Sequence, residues 1–445
     1  MHRKLFYLFN FLVLGLFVAA GVVDNHREWK GYQKQYKRME ISRLEGELAS
    51  ADAEQKPSLE LALKTAKAMP IRLRQAMSPD LNRYDRCVSC HLGIDPETNP
   101  AQVNAYAEHP FKAGDIPEHK AHPANKFACT SCHQGQGLAT TMEDAHGLVK
   151  HWEEPLLRDP YIQGSCVRCH GNFEEIRGTE QAKRGKALFA KIGCIGCHSM
   201  KGSGGEVSVD LGDIADKPAS RIDWSNTGPL PPHQRNILNW IEMHLTKDTI
   251  ELIPGDPHGH SCAHLAECEP VAPSGMPPFY EELSYEDAQA LTTYMLGMTD
   301  KKLPKEFKVP ASAKPEPRYA DSIEHGKAVF TKFGCAGCHG EGGASGRRNF
   351  NALGEGQDKT RIHEVSEMAK GREPTLTKVV GTYSRDELRK KLHDGVAPSS
   401  IVKFNPDGPT PPLFMPSWKT KIKGQEMEAL LDYLFSIAEK SGEEW

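Results

Sequence analysis

The sequence predicts a mainly α-helical protein: an N-terminal membrane helix, a helical stalk, then exported units. Three observations carry that prediction. An apolar run, Leu5 to Val23, follows the basic start Met1-His-Arg-Lys4. Residues 24–69 are striped at helical steps. The segment Gly185-Lys-Ala-Leu-Phe189-Ala-Lys-Ile-Gly193 recurs as Gly326-Lys-Ala-Val-Phe330-Thr-Lys-Phe-Gly334, at an offset of 141 residues throughout. A single recurrence of that length marks a duplicated domain rather than a solenoid.

The first 23 residues form the membrane segment. The run holds only Asn10 as a polar residue and is long enough to cross a bilayer core. A cleaved leader is the alternative, because Val18-Ala19-Ala20 is an acceptable small-residue cleavage site. The run exceeds the usual leader core, so an uncleaved anchor is expected, with the basic end inside and the rest exported. Residues 24–70 read as a helical stalk. Trp29, Tyr32, Tyr36 and Met39 stripe one face, and Leu44 and Leu48 extend it. That face is either a solvated stalk or a surface for a partner subunit. Pro57 and Pro70 place breaks that permit a hairpin.

The next stretch carries chemistry. Cys87-Val-Ser-Cys90-His91, Cys129-Thr-Ser-Cys132-His133, Cys166-Val-Arg-Cys169-His170 and Cys194-Ile-Gly-Cys197-His198 follow one another, and Cys335-Ala-Gly-Cys338-His339 lies downstream. Cys-x-x-Cys-His is the attachment pattern of c-type haem. Two thiols meet the two vinyl groups of one porphyrin, and the adjacent histidine becomes the proximal iron ligand. One Cys-x-x-Cys could equally build a zinc ribbon. Five copies, each followed by His, point to five covalently bound haems c. Ten of the twelve cysteines are used in this way. Cys262 and Cys268 remain, in a segment with His258, His260 and His264, and are read as a small disulfide in an oxidising compartment. A metal or redox site is the alternative there.

Residues 71–177 form a three-haem segment without long periodicity, expected to fold around its porphyrins. Its irons need distal ligands, and neutral imidazole suits iron. His122 and His146 rank first, then His151 and His109, with His119 last. Residues 178–300 and 321–445 are the duplicated units, joined by a Pro- and Lys-rich linker at 301–320. Each opens with a helix running into its motif. Each then offers a methionine before a closing helix: Met276 in Gly275-Met276-Pro277-Pro278, and Met415 in Phe414-Met415-Pro416. Ser284-Tyr-Glu-Asp287 signals the start of the first closing helix. Met276 and Met415 are therefore the expected distal ligands. With 38% hydrophobic residues and a net charge of −4, the chain has no basic stripe for nucleic acid.

The two C-terminal units resemble class I cytochrome c domains. The N-terminal half resembles the membrane-anchored multihaem cytochromes c that accompany bacterial quinol-oxidising complexes of the cytochrome bc type. That likeness is carried by Asp85-Arg86-Cys87-Val-Ser-Cys90-His91-Leu-Gly93 and Phe127-Ala-Cys129-Thr-Ser-Cys132-His133-Gln-Gly135-Gln-Gly137, with His146-Gly147, His151-Trp152-Glu153 and Tyr161-Ile-Gln-Gly-Ser-Cys166. Pentahaem subunits of alternative complex III are similar in haem count and anchoring. The resemblance implies an inner-membrane protein with its bulk in the periplasm. It also implies membrane partners of the cytochrome b and iron–sulfur type, and a soluble periplasmic acceptor. The expected role is electron transfer without catalysis, the linker letting the last domain swing to its acceptor. A haem enzyme with an open sixth position, reducing a small oxyanion or peroxide, is the main alternative. An outer-surface conduit is a third.

Overall fold

In the computed structural model the described residues are 2–94, 104–107, 109, 122–150, 152–222, 224, 230–246, 276, 279, 282–313, 315–349, 351–353, 371–404, 406 and 410–439. Helix α1, His2–Asn25, contains the apolar run. Its Arg3–Asn25 stretch has mean hydropathy 2.3 and no buried residue. At a rise of about 1.5 Å per residue it exceeds the roughly 30 Å hydrocarbon core of a bilayer. By length and composition it can cross a membrane. A mainly α architecture follows, in two units that divide between Arg158 and Asp159.

In the first unit, α2 (Glu28–Ser50) and α3 (Lys56–Ala68) form the hairpin that the prolines permit. Pro57 sits in the first turn of α3, where its missing N–H costs nothing. The striped face of α2 is covered within its own unit at Trp29, Tyr36 and Leu44. Tyr36 is buried with Leu92 and Tyr106, and Tyr32 and Met39 pack beside them. Buried Gln33 donates to the Arg72 and Ser89 carbonyls at 2.8 and 3.0 Å and accepts from the Arg72 N–H at 3.0 Å. The stalk is thus the wall on which the first Cys-x-x-Cys-His segment rests. Periodicity identifies an apolar face but not what covers it. Strands β1 (Ala76–Ser78) and β2 (Arg83–Asp85) pair antiparallel and deliver Asp85 to that motif. Short helices α4 (Ala124–Phe127), α5 (Thr130–His133) and α6 (Met142–Ala145) complete the unit.

The second unit opens with α7 (Gln163–Cys169), α8 (Glu180–Ile192) and α9 (Cys194–Cys197), followed by α10 (Ile237–Met243) and α11 (Tyr285–Met295). Then come α12 (Ser322–Lys332), α13 (Ala336–His339), α14 (Leu376–Val379), α15 (Arg385–Asp394) and α16 (Gln425–Ile437). The duplication is visible as two equivalent crossings. Helix α8 crosses α11 where Gly185 meets the Ala290 carbonyl, and α12 crosses α16 where Gly326 meets the Ala429 carbonyl. A Cβ at either glycine would lie 1.9 Å from that oxygen. Ser284 forms the expected capping box with Asp287 at the start of α11.

Two features differ from the reading of the sequence. The third motif falls in the second unit and packs there. Gln163 Oε1 accepts from the backbone of Gln181 and Ala182, and Arg168 donates twice to the Leu296 carbonyl. Grouping by lack of periodicity could not see contacts such as that of Arg168 with Leu296, made across 128 residues. The linker is also strapped down. Phe307 is buried, Val309 N–H donates to the Cys169 carbonyl at 2.8 Å, and Gly171 N–H donates to the Val309 carbonyl at 2.8 Å. Proline and lysine content indicated a free hinge. A parallel bridge between His170 and Val309 makes it part of the third motif's wall.

Candidate haem-binding sites

In the C-terminal domain, α12 runs into Cys335 and α13 carries the motif to His339. The His339 ring is buried, and its Nδ1 lies 2.9 Å from the Pro374 carbonyl. That contact fixes the proton on Nδ1 and leaves Nε2 as a lone-pair donor. Burial holds the His339 imidazole below the usual histidine range, so the neutral, metal-binding form prevails. An apolar cleft opens beside it. Cys335, Cys338 and His339 line it together with Met415, Trp418 and Leu430. Thiols, an imidazole and a thioether therefore meet one apolar slot. Burial pushes the Cys335 thiol up to about 12, so it is an uncharged sulfhydryl. This donor set, on apolar walls, fits a covalently attached haem.

The first copy repeats part of this. His198 Nδ1 lies 2.9 Å from the Val209 carbonyl, and burial lowers its ring likewise. The Cys194 thiol is pushed up to about 12 by burial. Met276 is half-buried, but its neighbours Gly275, Pro277 and Pro278 lie outside the described residues. So do His151, His119, Cys262, Cys268, His258, His260 and His264.

In the first unit the structure brings histidines together that are far apart in sequence. The His91 and His146 ring centres are 6.4 Å apart. Those of His133 and His109 are 5.9 Å apart. Two imidazoles bonded at about 2 Å to opposite sides of one metal place their ring centres about 6 Å apart. Both pairs have that separation. His91 and His146 are lowered chiefly by burial, which keeps them neutral. His122 instead lies 4.8 Å from the Phe127 ring. His170, the histidine of the third motif, lies on the bridge to Val309 described above, and burial pushes its motif's Cys166 thiol up to about 11.

Asp85 is a residue that motif reading did not single out. It is buried and accepts from Cys129 N–H and Thr130 N–H at 2.6 Å each, and from Thr130 Oγ1–H at 2.8 Å. One carboxylate at the threshold of the first motif therefore holds the start of the second. Arg347 was missed too. Its backbone N–H donates to the Cys338 carbonyl at 2.8 Å, and its guanidinium lies 5.1 Å from the Phe279 ring and pairs with Glu282. His244 is a third omission, half-buried with Nδ1 2.6 Å from the Trp240 carbonyl. Only the buried Asp ahead of a motif had any signal in sequence. Among the described residues, no group of three or more His, Cys, Asp or Glu side chains converges as a zinc site requires.

Residues 323–438 match the family model of cytochrome c. This segment is a cytochrome c domain. As such it holds covalently bound haem c and serves electron transfer. The match covers α12 through α16, including the cleft between His339 and Met415. No curated protein and no solved structure matches the chain.

Proposed function

We propose that the chain is a membrane-anchored pentahaem cytochrome c. It takes electrons from a quinol-oxidising complex with cytochrome b and iron–sulfur type subunits and passes them to a soluble periplasmic acceptor. The observation that carries this reading is the pairing of His91 and of His133 with a second imidazole at metal-sharing distance. In this reading each Cys pair (Cys87/Cys90, Cys129/Cys132, Cys166/Cys169, Cys194/Cys197 and Cys335/Cys338) anchors one haem. His91, His133, His170, His198 and His339 would be the proximal ligands. His146 would complete the first iron, His109 the second, Met276 the fourth and Met415 the fifth.

Haem supplies a one-electron couple when bound. The residues decide its direction. Thioether ligation raises the iron potential relative to two imidazoles. Electrons therefore run from the unit that carries the membrane helix to the methionine-ligated domains. Filled sixth positions favour transfer over catalysis at these irons.

The test uses native membranes, gently solubilised, with the full-length protein captured through a C-terminal tag. Copurification of a b-type cytochrome, with quinol-driven reduction of the captured haems, is the expected result. A protein that comes alone and stays oxidised with quinol would overturn the complex. A potentiometric titration with the His/Met haems lowest would overturn the direction of flow.

A further inference from the structure

We propose that the fourth and fifth motifs form a fused dihaem pair, held edge to edge by a seam of four glycines. Electrons then cross between the two C-terminal domains inside one rigid body, without movement of the last domain. This rests on haem attachment at both motifs, as proposed above.

The seam is self-complementary. Under the 141-residue offset Gly193 corresponds to Gly334, and Gly196 to Gly337. A Cβ on Gly193 would lie 2.1 Å from the Gly337 nitrogen, and one on Gly337 would lie 2.3 Å from the Gly193 oxygen. A Cβ on Gly196 would lie 2.1 Å from the Gly334 oxygen, and one on Gly334 would lie 2.2 Å from the Gly196 nitrogen. The contact of Gly193 with Gly337 is thus repeated by their counterparts Gly334 and Gly196, as at an interface with two-fold symmetry. Gly193 and Gly334 have φ of +91° and +66°, where glycine is favoured for the backbone alone. Gly196 and Gly337 do not, so only the close approach of the other domain excludes a side chain there.

The consequence lies at the sulfurs. Cys197 Sγ and Cys338 Sγ are 3.9 Å apart. Each would be one of the two sulfurs by which its motif bonds a porphyrin, so the two haems would approach one another on this side of their motifs. Other contacts close the seam. Arg347 of the second domain reaches Phe279 and Glu282 of the first. Lys421 donates to the Gly204 carbonyl at 2.6 Å and pairs with Glu206 at 3.0 Å. The step across the seam moves one electron, one iron being oxidised as the other is reduced, with no proton and no third reactant.

The test uses the full-length, haem-loaded protein. After flash reduction, exchange between the two methionine-ligated haems is followed in buffers of increasing viscosity. A fixed pair exchanges at a rate independent of viscosity; a rate that falls in proportion to viscosity overturns the proposal. Gly196→Ala and Gly337→Ala are then compared by circular dichroism in the Soret band. The expected result is loss of one bisignate couplet, with haem content and the sulfur-to-iron charge-transfer band unchanged. A couplet unchanged in both variants overturns the seam. Peptide masses showing no haem on Cys194/Cys197 or Cys335/Cys338 would overturn the underlying reading, and the pair with it. Haem at both motifs with viscosity-limited exchange would overturn the pair alone.

Discussion

Replacing Gly326 by alanine would put a methyl carbon 1.9 Å from the Ala429 oxygen, 2.6 Å from its carbonyl carbon and 2.6 Å from Tyr433 Cβ. Comfortable carbon contacts begin near about 3.5 Å, so α12 and α16 would have to part by about 1.5 Å at their crossing. Overpacking of this kind costs about 1–3 kcal/mol, and sometimes more. Alanine offsets part of this, because it favours the helix over glycine by about 1 kcal/mol. The obstacle is backbone flanked by the buried core of Leu430, Leu431 and Leu434, which has nowhere to yield. The steric cost therefore lies at the top of its range, about 3 kcal/mol, and leaves a net loss of about 2 kcal/mol, or about 10 °C in melting temperature for a domain of this size. Thermal melting of the haem-loaded, full-length protein, followed in the haem bands, measures it. Gly185→Ala should behave in the same way, since its Cβ meets the Ala290 oxygen at 1.9 Å. Gly31→Ala on α2 is the control. It has no atom within 4 Å and should gain up to about 1 kcal/mol. A Gly326→Ala protein melting at or above the parent, with the control shifted upward, would refute the packing account.

Further outcomes follow from the sites. His146→Ala and His109→Ala should each convert one haem from low to high spin with haem content unchanged; electron paramagnetic resonance showing no new high-spin iron would remove these two residues as distal ligands. Asp85→Ala deletes the acceptor of three hydrogen bonds and should destabilise the second motif by about 3 kcal/mol, with Asp85→Asn recovering part of it. Denaturant titration read at the first two haems checks this, and equal stability of parent and alanine variant contradicts it. Met415→His exchanges a thioether for an imidazole and should lower the potential of the C-terminal haem. A potentiometric titration in which that haem keeps or raises its potential would rule out Met415 as its ligand.

Much of this protein is written locally. An apolar run of bilayer length, a proline at the start of α3, a capping box at Ser284 and five Cys-x-x-Cys-His segments act over a few residues, so the one-dimensional string contains them. The mainly α class and the cytochrome c character of residues 323–438 were legible for the same reason: helix periodicity and motif spacing need no distant partner. The histidine pairs were not legible. His91 meets His146 and His133 meets His109 through loops without periodicity, and any of several histidines satisfied the same chemical requirement. Nor did composition foretell that Val309 would bridge to His170, or that α2 would be covered by Leu92 and Tyr106. Which face covers which, which imidazole opposes which, and how closely two glycines approach depend on packing summed over the whole chain. Residue types set the chemistry available to this protein; the tertiary structure chose the partners, because contact is a property of space and not of sequence distance.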